Sequence, residues 1–255
     1  PRTWLCLHGN PAWSYLYRKM IPVFTAAGDR VVAPDLIGFG KSDKPKKDGF
    51  HGFHWHRQVL LEFIDRLDLK NVVLVVQDWG GLLGLTLPLR QPERYTRLLV
   101  MNTGLGLGTV TEGFKQWRAY ANSQPDMAIG KLFQRGNAGM SAEEAAAYDA
   151  PFPDVRYKAG VRRFPNLVPD HEHAPGAAIS REAARFWSEQ WRGDSFMAIG
   201  MLDPVLGPVP MQSLRKLIHG CPAAMEVADG GHFVQERGGP VAAAALRHFG
   251  LGPGS

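Results

Sequence analysis

An aspartate stands where an apolar run ends: Val72-Val73-Leu74-Val75-Val76-Gln77-Asp78-Trp79-Gly80-Gly81. A β-branched stretch closing on a polar residue and two glycines has the form of a nucleophile elbow. That tight strand-to-helix turn lifts one side chain above a sheet. A serine hydroxyl in the lifted position attacks acyl carbon. A carboxylate there suits displacement of a leaving group from an sp³ carbon through an ester intermediate. Hydrolysing that ester takes a base to activate water, and His232 in Asp229-Gly230-Gly231-His232-Phe233 is the candidate. The base in turn needs an acid to fix its tautomer and stabilise its charged form. Asp203, just after Phe196-Met197-Ala198-Ile199-Gly200, supplies one.

These side chains need a scaffold that brings strand ends together. Apolar runs at 3–7, 30–34, 72–77, 97–101, 195–200 and 224–228 read as strands. Amphipathic patterns at 53–67, 80–90, 181–191, 210–218 and 240–248 read as helices between them. Strand–helix alternation predicts an α/β fold with a mostly parallel, doubly wound sheet. Asp78, Asp203 and His232 then share the carboxyl edge of that sheet, in the nucleophile–acid–base order of α/β hydrolases. The alternation lapses from about 104 to 173, where Ala-rich and aromatic stretches are punctuated by Pro151, Pro153, Pro165 and Pro169. The expected division is a core of 1–104 and 174–255 with a helical cap at 105–173. In that architecture the loop His8-Gly9-Asn10-Pro11 contributes an oxyanion-hole N–H from Asn10, and Trp79 contributes another.

Composition narrows the classes. With 255 residues, 45% hydrophobic and 21% charged, the chain can bury one large core. The net charge of +5 is scattered, with no basic stripe, so nucleic acid is not an expected partner. No apolar stretch is long enough to span a membrane. The two cysteines, Cys6 and Cys221, imply no disulfide framework and suggest a reducing, cytoplasmic setting. The start at Pro1, almost directly in a strand, reads as a chain lacking its natural beginning, and Gly252-Pro253-Gly254-Ser255 as a loose tail. Gly40-Lys41-Ser42 is not a phosphate loop, because Asp35 stands where its first glycine belongs. His51, His54 and His56 are read as a solvated face, and His171-Glu172-His173 as a loop.

Four segments resemble the haloalkane dehalogenases: His8 to Arg18, Asp35 to Pro45, Gln77 to Gly81, and Gly230 to Glu236. The likeness runs essentially the whole length. It is nearest the subfamily that acts on small chlorinated alkanes and takes its acid from the loop after strand seven. Asn102 agrees, since the other main subfamily has its glutamate acid there. The resemblance implies displacement of halide by Asp78, then hydrolysis of the ester by water that His232 activates, with no metal or organic cofactor. It implies a halide site from Trp79 and Trp117, the latter in Gly113-Phe114-Lys115-Gln116-Trp117. It also implies cavity walls at Phe114, Phe164, Pro165, Val168, Val205 and Leu206. Partners are a small haloalkane, water and the halide ion, and the expected state is a monomer.

Two features depart from that subfamily. Asn10 stands where it usually has Glu, while relatives with Asn there use the amide on halide, so Asn10 joins the halide candidates. Two further N-terminal strands also belong to the family, and a sheet lacking them has an open edge. Two rivals stand beside this reading. An epoxide hydrolase shares the Asp nucleophile but needs two cap tyrosines, for which Tyr120, Tyr148 and Tyr157 are available. A hydrolase-fold binding module without catalysis is the rival from another class.

Overall fold

All six strands run parallel, in the spatial order β2-β1-β3-β4-β5-β6. They are β1 (Thr3–Leu7), β2 (Arg30–Val32), β3 (Val72–Val76), β4 (Tyr95–Met101), β5 (Asp194–Gly200) and β6 (Met225–Val227). This is a computed structural model, and it describes residues 2–251; the tail expected at 252–255 lies outside the described residues. Helices α1 (Ile21–Ala26), α2 (Phe53–Arg66) and α3 (Trp79–Gly84) precede β4. Between β4 and β5 come α4 (Glu112–Ser123), α5 (Ile129–Gly136), α6 (Ala142–Asp149), α7 (Ala159–Arg163) and α8 (Ala177–Arg185). The chain closes with α9 (Pro208–Leu217) and α10 (Gly238–His248).

Side chains alternate across a strand, so continuous apolar sequence buries both faces. Leu5, Leu7, Leu74 and Val76 join one core with Leu60, Ile64, Leu83 and Met211 from α2, α3 and α9. Their neighbours Trp4, Cys6, Val73 and Val75 join the other, with Phe24 of α1 and Val241, Ala245 and Leu246 of α10. Strands β1 and β3 are buried along their whole length, neighbours inside the sheet with β2 and β4 on either side. The elbow therefore rises from a fully buried strand.

Two sequence expectations change. The helix expected over 80–90 stops at Gly84 and is followed by a 3₁₀ turn at Leu87–Leu89. Pro88 has no N–H for a helical bond and its ring crowds the preceding turn. The histidines of 51–56 are not a solvated face. His56 falls on the inward stripe of α2 with Phe53, Leu60 and Ile64, and is 1% exposed. His51, 2% exposed, sits 3.0 Å from it, ring parallel to ring, while His54 faces out. Burial, with His51 and His8 nearby, pushes the His56 pKa down to about 3 and keeps the ring neutral.

Candidate active site

Asp78 joins β3 to α3 with φ +51° and ψ −126°, a conformation that strains any residue with a Cβ. The surroundings hold it there. The Asp78 N–H donates to the Asn102 carbonyl (3.0 Å), and the Asp78 carbonyl accepts from Thr103 Oγ1 (2.7 Å) and from the N–H groups of Gly81 and Leu82. So close an approach of backbones leaves no room for side chains. A Cβ at Gly80 would collide with the Leu7 carbonyl, and one at Gly81 with Thr103.

The carboxylate's two oxygens have different partners. Oδ1 accepts the Asn10 backbone N–H at 2.7 Å. Oδ2 lies 3.3 Å from His232 Nε2. Trp79 opens α3, so its N–H is one of the amides a helix start leaves without an intrahelical acceptor. An oxyanion at Oδ1 would thus have one donor in place and a second adjacent.

On its other side His232 places Nδ1 2.7 Å from Asp203 Oδ2. That oxygen also accepts Asn102 Nδ2 at 2.9 Å, and Oδ1 accepts the Val205 N–H at 2.8 Å. Asn102 ties the acid to the sheet through its remaining bonds, to the N–H and carbonyl of Gly200 at the end of β5. The His232 carbonyl accepts Gln77 Nε2 at 3.0 Å, which fixes the loop beside the elbow. Burial opposes the charge on Asp203, but His232 and these donors outweigh it and draw its pKa down to about 2. Burial likewise opposes the imidazolium, yet Asp203 and Asp78 together hold the His232 pKa up at about 10.

The sign of each contribution to stability follows. The part from His232 is present below its unfolded value near 6.5 and is lost as pH rises through about 10. The part from Asp203 is present above the ordinary carboxylate range and is lost as pH falls through about 2. NMR of the ring protons should therefore give a His232 midpoint well above 6.5 in the resting protein. A midpoint at or below 6.5 contradicts a ring held between two carboxylates.

A cavity of about 940 Å³ opens above these residues. Asn10, Asp78, Trp79, Asp203 and His232 form its floor, and Phe114, Trp117, Pro165, Val168, Val205 and Leu206 line it as well. Phe164 does not. It is fully buried behind Trp79, with ring centroids 4.6 Å apart, and also packs on Phe39 and His56. Its ring braces the indole rather than facing the cavity. The indole N–H groups of Trp4, Trp13, Trp187 and Trp191 all donate to protein oxygens. Those of Trp79 and Trp117 have no acceptor among the described residues, and the Asn10 side chain makes no hydrogen bond there either. An anion needs such donors in an apolar cavity. Among the described residues no group of three His, Cys, Asp or Glu side chains could hold a metal ion.

The family described as alpha/beta hydrolase fold matches residues 4–238. A haloalkane dehalogenase of Psychrobacter cryohalolentis is 40% identical over 252 residues, covering 96% of this chain and 82% of that protein. The chain belongs to the haloalkane dehalogenase family. Haloalkane dehalogenase 1 of Mycobacterium tuberculosis is 42% identical, over 91% of this chain and 78% of its own length. The haloalkane dehalogenase DpaA from Paraglaciecola agarilytica superposes with a TM-score of 0.95 at 50% identity, covering 96% of this chain and 83% of that one. That dehalogenase is tetrameric, so the monomer expected from sequence finds no support in it.

Within this dehalogenase fold, every residue singled out at the three strand ends reaches one floor. Sequence reasoning missed Thr103 and Gln77, which brace Asp78 and His232, and gave Asn102 no structural task. It also missed the cavity's outer wall, where Leu132 and Arg135 of α5 stand beside Tyr120 of α4. No helix among the described residues is long and apolar enough to cross a membrane.

Proposed function

We propose that this chain hydrolyses haloalkanes to an alcohol, a halide ion and a proton through an ester on Asp78. The observation that carries the reading is the pairing of a carboxylate nucleophile with two indole donors, Trp79 and Trp117, that line the same apolar cavity and have no acceptor among the described residues. Asp78 Oδ2 attacks the carbon in line as the C–X bond breaks, and the halide leaves toward the indoles and Asn10. His232 Nε2 then takes a proton from water as the water oxygen bonds to the Asp78 carbonyl carbon. The oxyanion on Oδ1 is stabilised by the Asn10 and Trp79 N–H groups. Collapse breaks the acyl C–O bond; the leaving oxygen takes the proton held by His232 to become the alcohol, and the proton of the regenerated Asp78 carboxyl group passes to solvent. Esterification also removes one of the two carboxylate charges facing His232, which lowers the imidazole's affinity for protons when it must act as a base.

Segment 105–173 acts as a cap in this reading, closing the cavity with Phe114, Trp117, Pro165 and Val168. A reducing, cytoplasmic setting is in keeping with Cys6 and Cys221, both unpaired and buried. The epoxide alternative lacks its pair of proton donors. Of the three candidate tyrosines only Tyr120 lines the cavity; Tyr148 is fully buried with its hydroxyl on Glu236, and Tyr157 lies against Lys46.

The deciding assay measures bromide released from 1,2-dibromoethane and 1-bromobutane, with styrene oxide in parallel. Bromide release and inert epoxide are expected; epoxide turnover without halide release rejects the proposal. Trp117→Phe should lower kcat/KM for bromide release about ten- to a hundredfold, the worth of a hydrogen bond to a charged group. An unchanged kcat/KM in that variant would remove Trp117 from the halide site and leave Trp79 with Asn10.

A further inference from the structure

His232 is also held from a direction the mechanism does not use. Its ring meets the edge of Phe233, centroids 4.9 Å apart at 78°. Phe233 stacks on Phe133 of α5 (3.9 Å, 21°), and Phe133 stacks on Tyr148 of α6 (3.6 Å, 10°). Tyr148 is fully buried, and its hydroxyl donates to Glu236, whose side chain is 2% exposed. Arg18 closes on both Glu236 oxygens at 2.8 Å and on Glu144 of α6 at 2.6 Å. Lys19 adds a contact to Glu236 at 3.1 Å. A bidentate ion pair on the buried Glu236 thus anchors one end of an aromatic stack whose other end is the catalytic base.

We propose that Phe133 and Tyr148 are positioning residues: with Phe233 they form a strut from the Arg18–Glu236 anchor that sets where His232 Nε2 stands. This role rests on the ester mechanism above. Once Asp78 is esterified, the imidazole keeps its Nδ1 bond to Asp203 but loses the charged partner 3.3 Å from Nε2, and can pivot about the contact that remains. Stacked aromatic pairs are stabilised beyond their buried area, and here the far end of the stack is fixed by charge. Asp78 depends on none of this. Its place is set by the elbow, Asn102, Thr103 and the Asn10 N–H. The strut therefore serves hydrolysis of the ester and not the displacement of halide.

Phe133→Leu keeps an apolar side chain and loses the planar stack; Tyr148→Leu interrupts the stack one ring further out. Single-turnover quench of each with 1,2-dibromoethane follows bromide release and, by intact-protein mass, loss of the Asp78 adduct. The expected result is a bromide burst within about twofold of the parent and adduct decay slowed roughly ten- to a hundredfold, the cost of a reacting group displaced by about an ångström. Equal slowing of both steps, or a change in neither, overturns the strut. NMR titration of His232 tests it without turnover. The midpoint should fall toward 6.5 in both variants as the ring leaves its place between the carboxylates, and an unmoved midpoint overturns the proposal. A parent that releases no bromide defeats the dehalogenase reading, and the titration still decides the strut.

Discussion

With His232 replaced by glutamine, the protein should release one equivalent of bromide per site and then slow by about 10²–10⁴-fold, the usual worth of a positioned general base. The carboxylate that makes the first attack loses its 3.3 Å contact with His232 Nε2 and keeps the others. Its N–H and carbonyl stay bound to Asn102 and Thr103, and Oδ1 stays on the Asn10 N–H. What disappears is the acceptor for the proton of water. The alkyl group then remains on the protein, where mass spectrometry of a digest should find it on Asp78. Steady turnover at the parent rate would show that another group activates the water.

Asp78→Asn should remove even that first equivalent. Asparagine keeps the size and shape of the side chain, adds no strain at φ +51° beyond what aspartate already bears, and still presents Oδ1 to the Asn10 N–H, so the elbow survives the change. A neutral amide is a poor nucleophile toward an alkyl carbon, and the loss in bromide release should exceed about 10⁴-fold, the scale on which enzymes depend on such groups. Bromide release at the parent rate would reject Asp78 as nucleophile. The two variants also divide the cycle: one gives a burst without turnover, the other gives neither.

The residues at the strand ends were legible because strands advertise themselves. Val72–Val76 and Phe196–Gly200 are unbroken apolar runs, so the carboxylates that come within three residues of each, Asp78 and Asp203, lie at the sheet's carboxyl edge. Gly80 and Gly81 marked the elbow for a reason the structure makes concrete: their neighbours leave no space for a Cβ. The rest depends on contacts between segments far apart in sequence. Phe164 is aromatic and sits in the cap, yet whether it faces the cavity or backs Trp79 is decided by Phe39 and His56, more than a hundred residues earlier. His56 was recoverable from its spacing with Phe53 and Leu60, but its polarity argued for the surface. Asn102 stood out by its residue type, while its task as tie between Asp203 and β5 needs three strand ends in one frame.

The unequal partners of the Asp78 oxygens carry a last consequence for the proposed cycle. Oδ1 stays with the Asn10 N–H while Oδ2, on the His232 side, enters the substrate. Water attacks from that same side, so its oxygen takes the vacated place on the carboxylate. Each alcohol then leaves with an atom that the protein took from solvent one turnover earlier. The nucleophile is rebuilt with every cycle, and only the atom under the backbone amide is original.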